Sequence, residues 1–99
     1  MTLGKGVRPG HSGHLLEYPV EDELTLYDPW SEVVHILNST AAAVWELADG
    51  TQEAGNIAAQ LAELYGLEAD VAEEDVQEIL EQFRKAGLLQ NRGGLSGLR

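Results

Sequence analysis

The sequence contains no cysteine, one methionine, one phenylalanine and three prolines in 99 residues, and only six basic residues against 17 acidic ones. Without cysteine, disulfides, thiolate metal sites and cysteine nucleophiles are excluded together. No apolar run approaches the ~20 residues that a membrane-spanning helix needs, and residues 1–14 lack the apolar segment of a secretory signal. A cytoplasmic location with no membrane partner is therefore expected. The shortage of basic charge is sharper than the net charge of −11 conveys. Lys5, Arg8, Arg92 and Arg99 lie near the two ends, leaving Arg84 and Lys85 against every acidic residue from Glu17 to Glu81. Such a surface repels phosphate backbones, which proteins bind by displacing counterions with Lys and Arg, so no nucleic-acid partner is expected.

What is present suits one folded domain. The composition is 43% hydrophobic, and a chain of this length buries roughly two-thirds of its unfolded surface. Residues 1–13, with four glycines and a proline, are read as a flexible N-terminal arm, residues 14–90 as the domain, and residues 91–99 as a flexible C-terminal tail. His14 to Tyr18 forms a first strand and Pro19 to Glu23 a turn. Leu24 to Tyr27 forms a second strand, with Leu24 and Leu26 on one face and Thr25 and Tyr27 on the other. Asp28-Pro29-Trp30-Ser31 is a turn in which the carboxylate can accept bonds from the backbone that follows it. Glu32 to Leu37 is the third strand. Its apolar residues Val33, Val34, Ile36 and Leu37 leave open which parity faces a core.

Three helices complete an α+β, winged-helix-like arrangement in which the sheet rests one face on the helices. The first is capped by Asn38 or Ser39, runs to about Ala48, and carries Ala41, Val44, Trp45 and Ala48 on one stripe, with Gly50 suited to the left-handed position beyond it. The second starts near Thr51 or Ala54, turns Ile57, Ala58, Leu61, Leu64 and Tyr65 inward, and stops at Gly66. The third starts at Asp70 with Glu73 as a capping-box-like pair, carries Val76, Ile79, Leu80 and Phe83, and ends at Gly87. Leu88 and Leu89 fold back onto the core.

No motif for catalysis stands out. His11 and His14 are three residues apart in the Gly-rich arm without a third ligand, which points to solvent rather than metal. His35, between Val34 and Ile36, reads as a packed or half-exposed strand residue. The acidic run Glu73, Glu74, Asp75, Glu78 and Glu81 is a solvated helix face, helped by the macrodipole in its first turn. No nucleophile elbow, phosphate loop, dinucleotide fingerprint or zinc helix is present, so no enzyme activity, metal or cofactor is expected. Trp45 is assigned to the core, and Trp30 to a turn where it is partly exposed. The remaining feature is an edge: the third strand has no charge or proline between Val33 and Leu37, the devices by which proteins blunt a free strand. An extended peptide could add to it as a further strand, or a second copy of the chain could cover it.

Leu37-Asn38, Val44-Trp45, Asp49-Gly50, Leu61 through Tyr65 and Gly87-Leu88-Leu89, in that order after three short strands, resemble the PqqD-like family over His14 to Gln90. Between Gly50 and Ile57 the chain departs from the pattern, because Gly55-Asn56 lengthens the way into the second helix. The resemblance implies a non-catalytic recognition element that binds the leader of a ribosomally made precursor peptide and presents it to a tailoring enzyme, such as a radical-SAM protein or a leader peptidase. Carried onto this chain, the peptide would lie along Val33, Val34, His35, Ile36 and Leu37, walled by Asp75, Glu78, Ile79, Gln82 and Phe83 of the third helix. The alternatives are a homodimer formed through the same edge and a winged-helix-like nucleic-acid-binding module, the latter opposed by the charge.

Overall fold

A computed structural model describes residues 8–89 of the chain. The strands β1 (Leu16–Val20), β2 (Glu23–Asp28) and β3 (Val33–Leu37) precede the helices α1 (Ser39–Leu47), α2 (Ala54–Tyr65) and α3 (Ala69–Lys85). The strands form one antiparallel sheet in the order β1-β2-β3. This is the α+β arrangement of a three-stranded sheet followed by three helices. Leu24 and Leu26 of β2 are buried, while Thr25 and Tyr27 alternate to the other face.

The turns differ from the sequence reading in instructive ways. β1 continues through Pro19 to Val20, and the first turn tightens to Glu21-Asp22, with Glu21 at a positive φ of 59°. An edge strand tolerates proline because one side of its backbone needs no N–H partner. At the second turn Trp30 N–H donates to Asp28 Oδ1 at 2.9 Å, as the sequence led us to expect, and Glu32 at φ 61° swings the chain into β3 one residue later than expected.

α1 begins where Asn38 Oδ1 accepts the Ala41 N–H at 2.9 Å, and it ends at Ala48. Gly50 has a positive φ but lies two residues beyond that cap. α2 starts at Ala54, so Gly55 and Asn56 form its first turn. Ile57, Ala58 and Leu61 are buried, whereas Leu64, expected inward, is 67% exposed and Tyr65 is exposed as well. The last turn of α2 overhangs the core. Left-handed Gly66 then turns the chain back, and Leu67 takes the place in the packing that Leu64 does not. α3 begins after Glu68, not at Asp70, which becomes a first-turn residue placed favourably toward the helix dipole. Past α3, Gly87 adopts φ 76° and Leu88 N–H donates to the Phe83 carbonyl at 2.9 Å, which buries Leu88.

The core is assembled around Trp45, which is fully buried and meets Phe83 of α3 edge-to-face at 5.5 Å. Its indole N–H donates to Glu17 Oε2 of β1 at 3.1 Å, so the polar end of the ring is satisfied.

Residues 8–13, assigned from sequence to a flexible arm, are tied to the domain. Gly50 N–H donates to the Pro9 carbonyl at 2.7 Å, Ser12 N–H donates to the Leu88 carbonyl at 2.8 Å, and His11 pairs with Leu89 as an isolated antiparallel bridge. Gly10 permits this approach, because a Cβ there would stand 3.2 Å from the Gly50 Cα. Polar glycine-rich composition hid these bonds, since the segment is held through its backbone and the ring of His11. The rest of the arm and the tail over 91–99 lie outside the described residues.

Candidate functional site

The two edges of the sheet are built differently. β1 carries Pro19, which removes a donor, and a charged Glu17. β3 reads Val-Val-His-Ile-Leu, with neither proline nor a carboxylate or ammonium group to deter pairing. No Cα of β3 comes within 8 Å of a Cα of α3. Because paired strands lie only about 4.8 Å apart, a further strand could pair with β3 without displacing that helix.

The register settles the parity that the sequence left open. Leu24 pairs with Leu37 and Leu26 with His35, so His35 and Leu37 share the core face and Val33 follows them. Val34 and Ile36 point outward, 55% and 68% exposed. Leu37 is buried, His35 half-buried and Val33 exposed at the start of the strand. On α3, Asp75, Glu78, Ile79 and Gln82 follow the three- and four-residue spacing that puts side chains on one flank. Asp75 and Ile79 are half-buried there, and Glu78 and Gln82 exposed. Phe83, also expected to line the site, is buried against Trp45 and belongs to the core.

A groove of about 720 Å³ runs between the start of α2 and α3; Ala54 and Ala58 meet Asp75, Glu78, Gln82 and Gln77 there, and no β3 residue lines it. Gln77 Oε1 is buried in the structure without a hydrogen-bond partner. The groove therefore offers mainly acceptors. At the end of α3 the Arg84 guanidinium bonds Glu81, which holds the Glu81 carboxyl below its ordinary value and raises Arg84.

Sequence reasoning missed the histidines. His11 stacks on Trp45, and His14 stacks on Trp30 with ring centroids 3.6 Å apart while its Nε2 lies 3.0 Å from Asp28 Oδ1. Trp30, 79% exposed, thus has one ring face covered. The signal was available as a His-x-x-His pair in a chain with two tryptophans, but the Gly-rich setting without a third ligand pointed to solvent. Among the described residues, no three His, Asp or Glu side chains converge as metal ligands, and no helix is long and apolar enough to cross a membrane.

A small α+β domain that keeps one sheet edge unguarded is the class defined by these features. The sequence matches the family described as coenzyme PQQ synthesis protein D (PqqD) over residues 23–89, and the chain belongs to that family. Among solved structures, the fold is similar to that of TbiB1 in complex with the TbiA(beta) leader peptide, with a TM-score of 0.77 and 17% identity over 85% of this chain and 98% of that one. It is similar also to lasso peptide synthetase B1 complexed with the leader peptide, with a TM-score of 0.75 and 19% identity over 84% of this chain and 98% of the other. No curated protein matches the sequence.

Proposed function

We propose that this chain is a non-catalytic recognition element that binds the leader of a ribosomally made precursor peptide as an added strand on β3 and presents it to a tailoring enzyme. The observation that carries the reading is the asymmetry of the edges: β1 is blunted by Pro19, and β3 is left open. Strand addition draws affinity from backbone N–H and C=O groups and selectivity from pockets for alternate side chains. Membership of the PqqD family supports the reading. So do the two leader-peptide complexes that share the fold.

In the proposed complex, Val33 to Leu37 supply the backbone ladder. Asp75, Glu78, Ile79 and Gln82 form the facing flank. Asp75 and Glu78 favour a leader that carries Lys or Arg, and the acceptor-rich groove beside them would take such a donor.

The test is a titration of isotopically labelled protein with a synthetic precursor leader peptide, followed by amide shifts. Amides of residues 33–37 and of the Asp75 to Gln82 flank should move. Shifts confined to α1, or none at all, would remove the reading.

A further inference from the structure

The outward face of the sheet is apolar where a solvated antiparallel sheet would turn polar. Pairing sets Leu16 opposite Tyr27 and Tyr18 opposite Thr25, while Tyr27 and Thr25 face Val34 and Ile36 on the other side. Residues opposite one another share a face. Leu16, Tyr18, Val20, Val34 and Ile36 are all exposed, and Tyr27 lies half-buried between them. They form a continuous strip across three strands rather than isolated apolar residues, and such strips mark interaction surfaces. The core uses the opposite face of the same strands through Leu24, Leu26 and Leu37. Among the described residues nothing covers the outer one.

Charge decides between occupants. Exposed Glu21, Asp22 and Glu23 stand at one end of the strip and exposed Glu32 at the other, and residues 16–37 contain no Lys or Arg. A second copy, itself at −11, would bring like charges together around the contact.

We infer that the outer sheet face docks a partner protein whose apolar contact strip is bordered by Lys and Arg. This deepens, and rests on, the peptide-presenting reading above, because it names the surface by which the tailoring enzyme is held. A peptide strand added beside β3 would contribute every second side chain to this face, so the partner would touch sheet and guest together.

The experiment uses the full chain with the leader peptide and the purified tailoring enzyme that modifies the same precursor. Leu16→Thr with Tyr18→Thr removes apolar surface from β1, two strands away from the β3 edge, while keeping residues suited to strands. A second variant, Val20→Lys, places a like charge against the partner's border. Both should bind the leader within about twofold of wild type while enzyme affinity falls at least about tenfold. Wild-type affinity for the enzyme should weaken as salt rises from about 50 to about 500 mM. Unchanged enzyme affinity in both variants would overturn the inference. So would a wild-type dimer that tightens with salt and is lost in the variants, which would give the face to a second copy. If the variants lose the enzyme while wild type ignores the leader, the docking surface stands and the peptide reading falls.

Discussion

The imidazole of His11 lies flat on the indole of Trp45, with ring centroids 3.6 Å apart and planes 8° from parallel. Its Nε2 donates to the Trp45 carbonyl at 2.5 Å, and its Nδ1 faces Glu17 at 3.6 Å. A segment ahead of the first strand is thereby fastened to the largest side chain of the core. An aromatic stack and a hydrogen bond each contribute about 1 kcal/mol. His11→Ala should therefore destabilise the fold by about 2 kcal/mol, read as a lower urea midpoint at unchanged slope. His11→Phe should recover only the stacking part. A loss under about 0.5 kcal/mol for His11→Ala, the range of an ordinary surface change, would show that this segment lies outside the cooperative unit.

The cap of α1 gives a smaller, local prediction. Asn38 Oδ1 satisfies the Ala41 N–H, one of the donors that a helix start leaves without a partner. Asn38→Ala should cost about 1 kcal/mol, and Asn38→Ser or Asn38→Asp should restore most of it. Thermal unfolding of the three variants followed by circular dichroism measures the series.

Asp28 sets an acid-sensitive contribution. Partial burial pushes its carboxyl up, but the backbone N–H groups of Trp30 and Ser31, together with His14, hold it below the ordinary value. The unfolded chain then binds this proton more readily. The contribution is complete above the unfolded value of about 3.9 and is lost as pH falls through the lower folded value. Asp28→Asn should be less stable than wild type near neutral pH, and the difference should narrow as pH drops below about 4. Urea midpoints of both proteins across that range make the comparison, and a gap independent of pH would contradict the assignment.

The open edge predicts a separation of binding from folding. Ile36→Pro removes one N–H from an edge strand, where its loss costs the sheet less than in a central strand. Leader affinity should fall below detection by fluorescence anisotropy while far-UV circular dichroism stays close to wild type. A variant that binds the leader as tightly as wild type would exclude β3 as the receiving strand.

The helices, the alternation of β2 and the Asn38 cap were legible because each rests on local chemistry: helical spacing, period-two alternation and a side-chain oxygen before an Ala-rich run. Leu64 misled because its spacing from Leu61 is helical while the helix outruns the core it packs on. The parity of β3 was illegible for another reason, since Val33, Val34, Ile36 and Leu37 are apolar on both faces and only pairing with Leu24 and Leu26 distinguishes them. Phe83 could be placed on α3 but not assigned to core or cleft before its contact with Trp45 was known. The packing of residues 8–13 depends on partners 34 to 78 positions away in sequence, beyond the reach of any local pattern.

The bridge between His11 and Leu89 brings the two ends of the described fold side by side. A domain whose ends meet can be spliced into a surface loop of another protein with little distortion of either. In such a chimera both joints would fall at one spot, and β3 and the outer sheet face would remain free to face the host. The same adjacency makes the fold a candidate for circular permutation, with new ends cut at the exposed Glu21-Asp22 turn.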